Sequence, residues 1–316
     1  MHKKERLVLA LGGNALLLPK QKGTIDEKET AADDTAVYLL QIIKQDYELI
    51  ITHGNGPQVG NVLIQNDEAS HKVPPMPLDV CVAETQGEIG YILQKSIQNL
   101  LTVEGIKKNL VTILTEVLVD SSDPSFEDLS KPVGPYYNSE QTKILIKEKD
   151  WKFREDPGGR GFRRVVASPK PIEIMQSEMI EELVEKGNIV ISVGGGGIPV
   201  YKDDKGLIHG IEAVIDKDLA SSELAVELKA DKLIILTNVD NCYLNYKKDN
   251  EVVLRELNLD EATTYIDQGH FSAGSMGPKV QAAVEFVMNT GNEAIITSIG
   301  KLKDALKGYA GTVIKL

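Results

Sequence analysis

"RLVLALGGNA", residues 6–15, runs five apolar residues straight into a pair of glycines and an asparagine. The run is too short for a helix, apolar at successive positions and closed by glycine. This is the pattern of a strand buried on both faces of a parallel sheet, with its carboxyl end opening into a loop. The same pattern recurs in "ELIITHGNG", "NIVISVGGGG", "DKLIILTNVD" and "EAIITSIG". Between these runs lie "AADDTAVYLLQIIKQ", "VAETQGEIGYILQKSIQNLL" and "PIEIMQSEMIEELVEKG", where apolar residues return at helical spacing and Gly187 suits a helix stop. Strands alternating with amphipathic helices predict an α/β protein, an open αβα sandwich around a mainly parallel sheet.

One stretch interrupts the alternation. Residues 121–169 carry "SSDPSF", "KPVGPYY", "REDPGGRGFRR" and "ASPKP", with one short helix expected at "SEQTKILIKEK". A structureless loop of that length is unusual inside a compact domain, so an inserted subdomain or lid, more mobile than the core, is expected there. Residues 151–170 hold six basic residues against two acidic ones. An anion could be met there; a solvated loop with scattered arginines is the plainer reading.

Bulk composition narrows the function. The chain has 316 residues with 42% hydrophobic and 26% charged side chains, as in ordinary soluble globular proteins. A net charge of -12 argues against the general attraction to phosphate backbones on which nucleic-acid binding depends. Cys81 and Cys242 stand alone, without the spacing of a zinc site or a disulfide framework, which suits a reducing compartment. No apolar run approaches the length of a membrane span, and a cytoplasmic location is expected.

In open α/β sheets anions bind beyond the carboxyl ends of the strands. Glycine clusters fall at such ends at Gly12 to Ala15, His53 to Gly60 and Gly194 to Gly197, and a fourth precedes a helix in "GSMGPKVQAA", residues 274–283. One such cluster is more often a tight turn; several together point to a site. Neither a dinucleotide fingerprint nor a P-loop is present. In "VIDKDLASS", residues 214–222, Lys217 stands between Asp216 and Asp218. Asp218 could cap a helix or could keep a lysine charged and oriented, and both readings stand. Pro278 suits the first position of a helix, which would leave Gly274, Ser275 and Gly277 to offer N–H donors beside Lys279, an arrangement fitted to a phosphoryl oxygen. His2, His71, His209 and His270 show no ligand spacing, and His53 could brace a loop or donate a proton. The chemistry on offer is positioning and charge neutralisation, as phosphoryl transfer requires.

Taken in order, "ALGGNAL", "ITHGNGPQVG", "VIDKDLAS", "LTNVD" and "GSMGPKVQAA" resemble the amino acid kinase family nearly end to end. The insert is similar to the protruding subdomain of one branch. The resemblance implies a single domain over residues 1–316, a homodimer, and Mg²⁺-dependent reversible phosphoryl transfer between ATP and carbamate, used for ATP synthesis in arginine catabolism. It implies that Gly12, Gly13, Asn14, Gly54, Asn55 and Gly56 hold the acceptor and the phosphoryl group. Lys217 and Lys279 would neutralise transition-state oxygens, Asp218 would orient them, and Lys131 would reach in from the subdomain. The nucleotide would lie over Thr237, Asn238, Asp240, Tyr243, Gly274, Ser275, Met276 and Gly277, with Mg²⁺ held mainly by its phosphates and "NCYLNY" forming a loop at the adenine. Two rivals remain: another acid kinase of the family, and a nucleotide-binding protein that keeps the fold without turnover.

Overall fold

The computed structural model describes residues 4–12, 21–156, 158–272 and 274–316; the expected acceptor residues Gly13 and Asn14 lie outside them. Strand β1 (Arg6–Leu11) is followed by helix α1 (Ile25–Ile43), strand β2 (Glu48–His53), and helices α2 (Gly56–Ala69) and α3 (Leu78–Val103). Short strands β3 (Leu110–Thr112) and β4 (Glu116–Leu118) lead to β5 (Lys131–Tyr137), α4 (Ser139–Lys149), β6 (Lys152–Glu155) and β7 (Phe162–Val166). Then come β8 (Glu173–Ile174), α5 (Ser177–Glu185), β9 (Ile189–Ile191), β10 (Ile198–Lys202), β11 (Ile208–Gly210), α6 (Lys217–Glu227) and β12 (Lys232–Thr237). The chain closes with β13 (Cys242–Leu244), β14 (Val252–Leu254), β15 (Glu256–Asn258), α7 (Leu259–Asp267), α8 (Met276–Thr290), β16 (Glu293–Ser298), α9 (Leu302–Ala305) and β17 (Thr312–Lys315).

Among the described residues the main sheet has eight strands in the order β15-β17-β16-β12-β1-β2-β9-β3. From β16 to β3 every neighbouring pair is parallel, and only β17 against β16 is antiparallel. The five strand-like runs of the sequence are β1, β2, β9, β12 and β16. Strand β1 lies between β2 and β12, so the chain builds outward on one side and then on the other. Their boundary is a topological switch point, where loops diverge and leave a crevice.

Alternation along β1 builds the layers. Leu7, Leu9 and Leu11 join a buried cluster with Leu39 of α1 and Leu93 of α3, while Val8 and Ala10 join another with Ile180 of α5, Leu224 of α6 and Phe286 of α8. Helices therefore cover both faces, which explains why β1 is apolar at successive positions. A capping box at α1, Thr24 with Glu27, fixes the start of that helix. Gly187 follows α5 with φ +83°, as its stop role requires. The helix expected over "PIEIMQSEMIEELVEKG" starts only at Ser177, because Glu173 and Ile174 pair with β4 instead.

The described residues of the 121–169 segment are structured. Strands β5, β7 and β6 form an antiparallel sheet of their own, and α4 occupies the expected "SEQTKILIKEK". Pro132, Gly134 and Pro135 in β5 are poor strand formers, so sequence pattern alone does not reveal this sheet; a register shift between Val133 and Tyr136 accommodates Gly134 and Pro135. The chain leaves and returns beside the antiparallel pair β4 and β8, with Ile172 N–H donating to the Leu118 carbonyl at 2.9 Å. Val133 and Val166 pack on Val59 of α2 and on Leu78 and Val82 of α3. Lys149 pairs with Asp67, and Arg164, stacked 4.2 Å over the Trp151 ring, pairs with Glu212.

Glu223, on the face of α6 toward α8, illustrates what this packing costs. Burial first, then the carboxylates of Glu227 and Glu285, push its pKa up from 4.5 to about 7. Between those values the folded protein holds a proton that the unfolded chain has released, so this group's contribution to stability falls as pH rises and stays low above about 7. Glu223→Gln is expected to raise stability at pH 8 by about 1 kcal/mol, after allowance for solvent screening of a half-buried group, and to change little at pH 4.5. Thermal melts of both proteins at the two pH values check this.

Candidate active site

Parallel strands point their carboxyl ends the same way, so the segments after β1, β2, β9 and β12 gather along one edge of the sheet. Gly12 closes β1 where a Cβ would stand 2.9 Å from the Leu236 carbonyl oxygen of β12, so a side chain there would push these strands apart. Gly54, Asn55 and Gly56 lead from β2 into α2, with Gly56 exposed at its first turn. Asn55 does not cap α2 through its side chain; its amide instead donates to Thr85 Oγ1 of α3 at 2.9 Å.

The glycines at 194–197 turn out to be packing elements. They are buried, Gly195, Gly196 and Gly197 have positive φ, and Gly196 and Gly197 donate their N–H groups to Val193 and Gly194 carbonyls. A Cβ at Gly194 would meet the His53 ring at 2.6 Å, one at Gly195 would overlap the Asn55 side chain, and one at Gly196 the Ile215 carbonyl. The turn thus joins the end of β2 to the start of α6. Gln86 of α3 clamps it: its amide nitrogen donates to the carbonyls of Thr115 and Gly194, and its oxygen accepts the Thr115 N–H. His53 Nδ1 lies 3.1 Å from the Gly54 carbonyl, and burial first, then the nearby Lys217, lowers its pKa to about 4. It is neutral at pH 7 and braces the loop.

Helix α6 starts beside this turn. Its cap is Asp216, whose Oδ1 accepts the Asp218 N–H at 2.9 Å; the capping alternative for Asp218 is thereby corrected, as that residue sits within the first turn. Asp218, only 3% exposed, accepts from Lys217 with one oxygen and from Lys279 of α8 with the other, the latter at 2.8 Å. Burial would raise its pKa, but the two ammonium groups outweigh that and hold it below the usual carboxylate range. Burial lowers the Lys217 pKa, Asp218 opposes the shift, and repulsion from Lys279 adds to it. Lys131, the first residue of β5, reaches Asp216 Oδ2 at 2.7 Å. Three ammonium groups and two carboxylates, from α6, α8 and the inserted sheet, therefore meet at one place. The Ser221 hydroxyl, bonded to Thr52 of β2 and to the Lys217 carbonyl, fixes the helix turn that carries them.

The start of α8 differs from its expected form. Met276 is its first residue, so Pro278 is the third, and Ser275 and Gly277 donate their N–H groups to the Ser272 carbonyl. Those two amides are spent within the turn, leaving the lysine as the charged group α8 contributes.

Next to it lies a cavity of about 550 Å³ lined by Thr237, Asn238, Tyr243, Ser275 and Met276. Asp240, Gly274 and Gly277 do not line it; Asp240 instead accepts from Ser298 Oγ at 2.6 Å. The expected "NCYLNY" loop is a hairpin, β13 paired with β14, and its turn brings Asn245, Tyr246 and Lys248 to the cavity, with the Tyr243 and Tyr246 rings tilted at 39° to each other, 5.5 Å apart. His270, Phe271 and Ser272 complete it. Asn245 and Tyr246 belong to the "NCYLNY" segment expected at the adenine, whereas Lys248, His270, Phe271 and Ser272 carry no signal in the sequence that marks them as lining residues. Among the described residues no three His, Cys, Asp or Glu side chains gather to hold a metal ion. The two site carboxylates are occupied by lysines, so a divalent cation fits here as a passenger on polyphosphate oxygens.

A pocket of this size, walled by two tyrosine rings and sharing helix α8 with the lysine cluster, can hold a flat base, while the ammonium groups can neutralise transferring phosphoryl oxygens. The sequence model of the amino acid kinase family matches residues 5–298. A carbamate kinase of Pyrococcus horikoshii is 49% identical over 98% of this chain and 99% of its own length. One of Trichomonas vaginalis is 47% identical over 98% of this chain and 99% of its own. The solved structure of a Giardia lamblia carbamate kinase bound to AMP-PNP superposes with a TM-score of 0.93 at 44% identity, covering 100% of this chain and 99% of that one.

Proposed function

The chain belongs to the amino acid kinase family, and from that premise we propose that it is a carbamate kinase, moving a phosphoryl group reversibly between ATP and carbamate. Asp218, holding two lysines from different helices in one buried cluster, is the observation that carries this reading. Carbamate already has an anionic oxygen as its nucleophile, so no general base is needed. What opposes reaction is repulsion between anions, which fixed ammonium groups relieve.

In the ATP-forming direction an oxygen of the ADP β-phosphate attacks the phosphorus of carbamoyl phosphate. The bond from phosphorus to the carbamoyl oxygen breaks, and carbamate leaves with the electron pair. Lys217 and Lys279 meet the equatorial oxygens while Asp218 holds both in place. Gly12, Gly54, Asn55 and Gly56 border the acceptor, and Thr237, Asn238, Tyr243 and Met276 cradle the nucleotide, a role in keeping with the AMP-PNP bound by the Giardia protein. Mg²⁺, arriving on the nucleotide, would add charge neutralisation between its terminal phosphates. Residues 121–169 act as a lid whose Lys131 completes the cluster, and the enzyme works as a homodimer in the cytoplasm, forming ATP at the end of arginine breakdown. No helix among the described residues is long and apolar enough to cross a membrane.

The test is ATP formation from ADP and carbamoyl phosphate, run beside ATP consumption with acetylglutamate, aspartate or UMP as acceptor. Mg²⁺-dependent ATP synthesis from carbamoyl phosphate, with far weaker use of the others, is the expected result. Robust phosphorylation of one of those acceptors without carbamoyl phosphate turnover would overturn the assignment.

A further inference from the structure

Asp216 does two jobs with two oxygens. Oδ1 accepts the Asp218 N–H and so caps α6, while Oδ2 accepts from Lys131 Nζ at 2.7 Å, across 85 residues of chain and the seam between the inserted sheet and the core. We infer that Asp216 is a positioning residue that docks Lys131 over the reacting groups, coupling the seating of the inserted sheet to the helix that carries Lys217 and Asp218. This rests on the proposed phosphoryl-transfer role of that cluster.

Charge and connectivity favour docking over capping alone. Lys217 and Lys279 share Asp218, and Lys131 has Asp216. With Asp216 neutral, three ammonium groups would face one carboxylate. Lys131, the one that does not belong to the core layers, would be the one displaced by repulsion. Its backbone is held in register, paired with Val166, which packs against Leu78 and Val82. The valines seat the sheet on α3, and the Lys131–Asp216 pair is the tether that joins the edge of β5 to α6. One N–H on Asp216 leaves an ammonium two more for anionic oxygens, so docking and substrate contact are compatible. The Lys131 and Asp216 side chains are 31% and 14% exposed, which distinguishes this seam contact from a fully solvated surface pair.

The variants Asp216→Asn, Asp216→Ala, Lys131→Ala and the double Asp216→Asn/Lys131→Ala separate the two jobs. Asparagine caps a helix about as well as aspartate but carries no charge, whereas alanine does neither. Asp216→Asn is expected to keep the wild-type melting temperature and the KM for ADP, and to lower kcat for carbamoyl phosphate use about tenfold. In the Lys131→Ala background the same change should have no further effect, because the ammonium it positions is gone. Asp216→Ala should also lose melting temperature. Hydrogen exchange without substrate provides a readout independent of the reaction: the amides of Lys131, Val133, Gly134, Tyr136 and Tyr137 should lose protection in Asp216→Asn. Wild-type kinetics in Asp216→Asn, a loss that multiplies onto that of Lys131→Ala, or unchanged exchange would each overturn the inference. A wild-type protein that makes no ATP from carbamoyl phosphate would instead refute the functional reading, leaving exchange to decide the docking.

Discussion

Alanine in place of Lys217 or Lys279 is expected to reduce turnover of ADP and carbamoyl phosphate by roughly a hundredfold or more, a loss of about 2 to 4 kcal/mol of transition-state stabilisation. Each lysine donates to one oxygen of Asp218, which is fixed at the first turn of α6 by a cap and by the Ser221 hydroxyl beneath it. The ammonium groups are thus set in place before substrate arrives, and little reorganisation is needed as charge moves from donor to acceptor. Removing one also leaves Asp218 buried with a single cationic partner, and breaking a buried pair can cost about 3 to 5 kcal/mol of stability. Loss of activity must therefore be separated from loss of fold. Circular dichroism melts and ADP titration calorimetry supply the control, and kcat at saturating substrate supplies the measurement. Variants that stay folded, bind ADP and turn over at near wild-type rate would show that these lysines serve packing alone.

Deleting residues 121–169 and bridging the gap with a short Gly/Ser linker should abolish carbamoyl phosphate use while leaving a protein that folds and binds ADP. The geometry permits the join, because β4 and β8 are antiparallel neighbours and the Lys170 N–H lies 3.2 Å from Asp123 Oδ2, so the two ends of the segment already meet. The cavity proposed to take the nucleotide is lined by residues that lie between Thr237 and Met276 and by none from the segment. On the proposed reading, what disappears is Lys131 and the cover over the acceptor, and with the cover the exclusion of water from the transferring group. The deletion also bares Val59, Leu78 and Val82, which pack against Val133 and Val166, so a loss of about 2 kcal/mol or more in stability accompanies it. Calorimetry with ADP and the ATP-forming assay together decide the matter. Normal turnover, or a chain that no longer folds, would show that the segment is not a separable lid.

The segment's attachment tempers the expectation of a loosely held cover. It meets helices α2 and α3 through valines, and its Lys149 and Arg164 pair with Asp67 and Glu212. Sequence could not show this, since each partner lies tens of residues away and is unremarkable alone.

What the sequence determined by itself is what local pattern can encode. Five apolar runs closed by glycine or polar residues identified β1, β2, β9, β12 and β16. Helical spacing identified α1 and α3, and the order of motifs carried the family and the lysines. Elsewhere a group distant in sequence decides the outcome. Asp216 rather than Asp218 caps α6 because Asp218 is turned inward by Lys217 and by Lys279, 61 residues away. Ser275 and Gly277 lose their donors to Ser272 because the turn before α8 folds back on itself. The glycines at 194–197 are required by the His53 ring, the Asn55 amide and the Ile215 carbonyl, atoms that meet only when the ends of β2 and β9 lie side by side. Lys131 belongs to the same cluster only because an inserted sheet sets it against α6. A strand or helix is selected by neighbours within a few residues, so composition and period reveal it. A buried charge is placed by whichever partner can repay its desolvation, and the chain's tertiary path alone determines which partner that is.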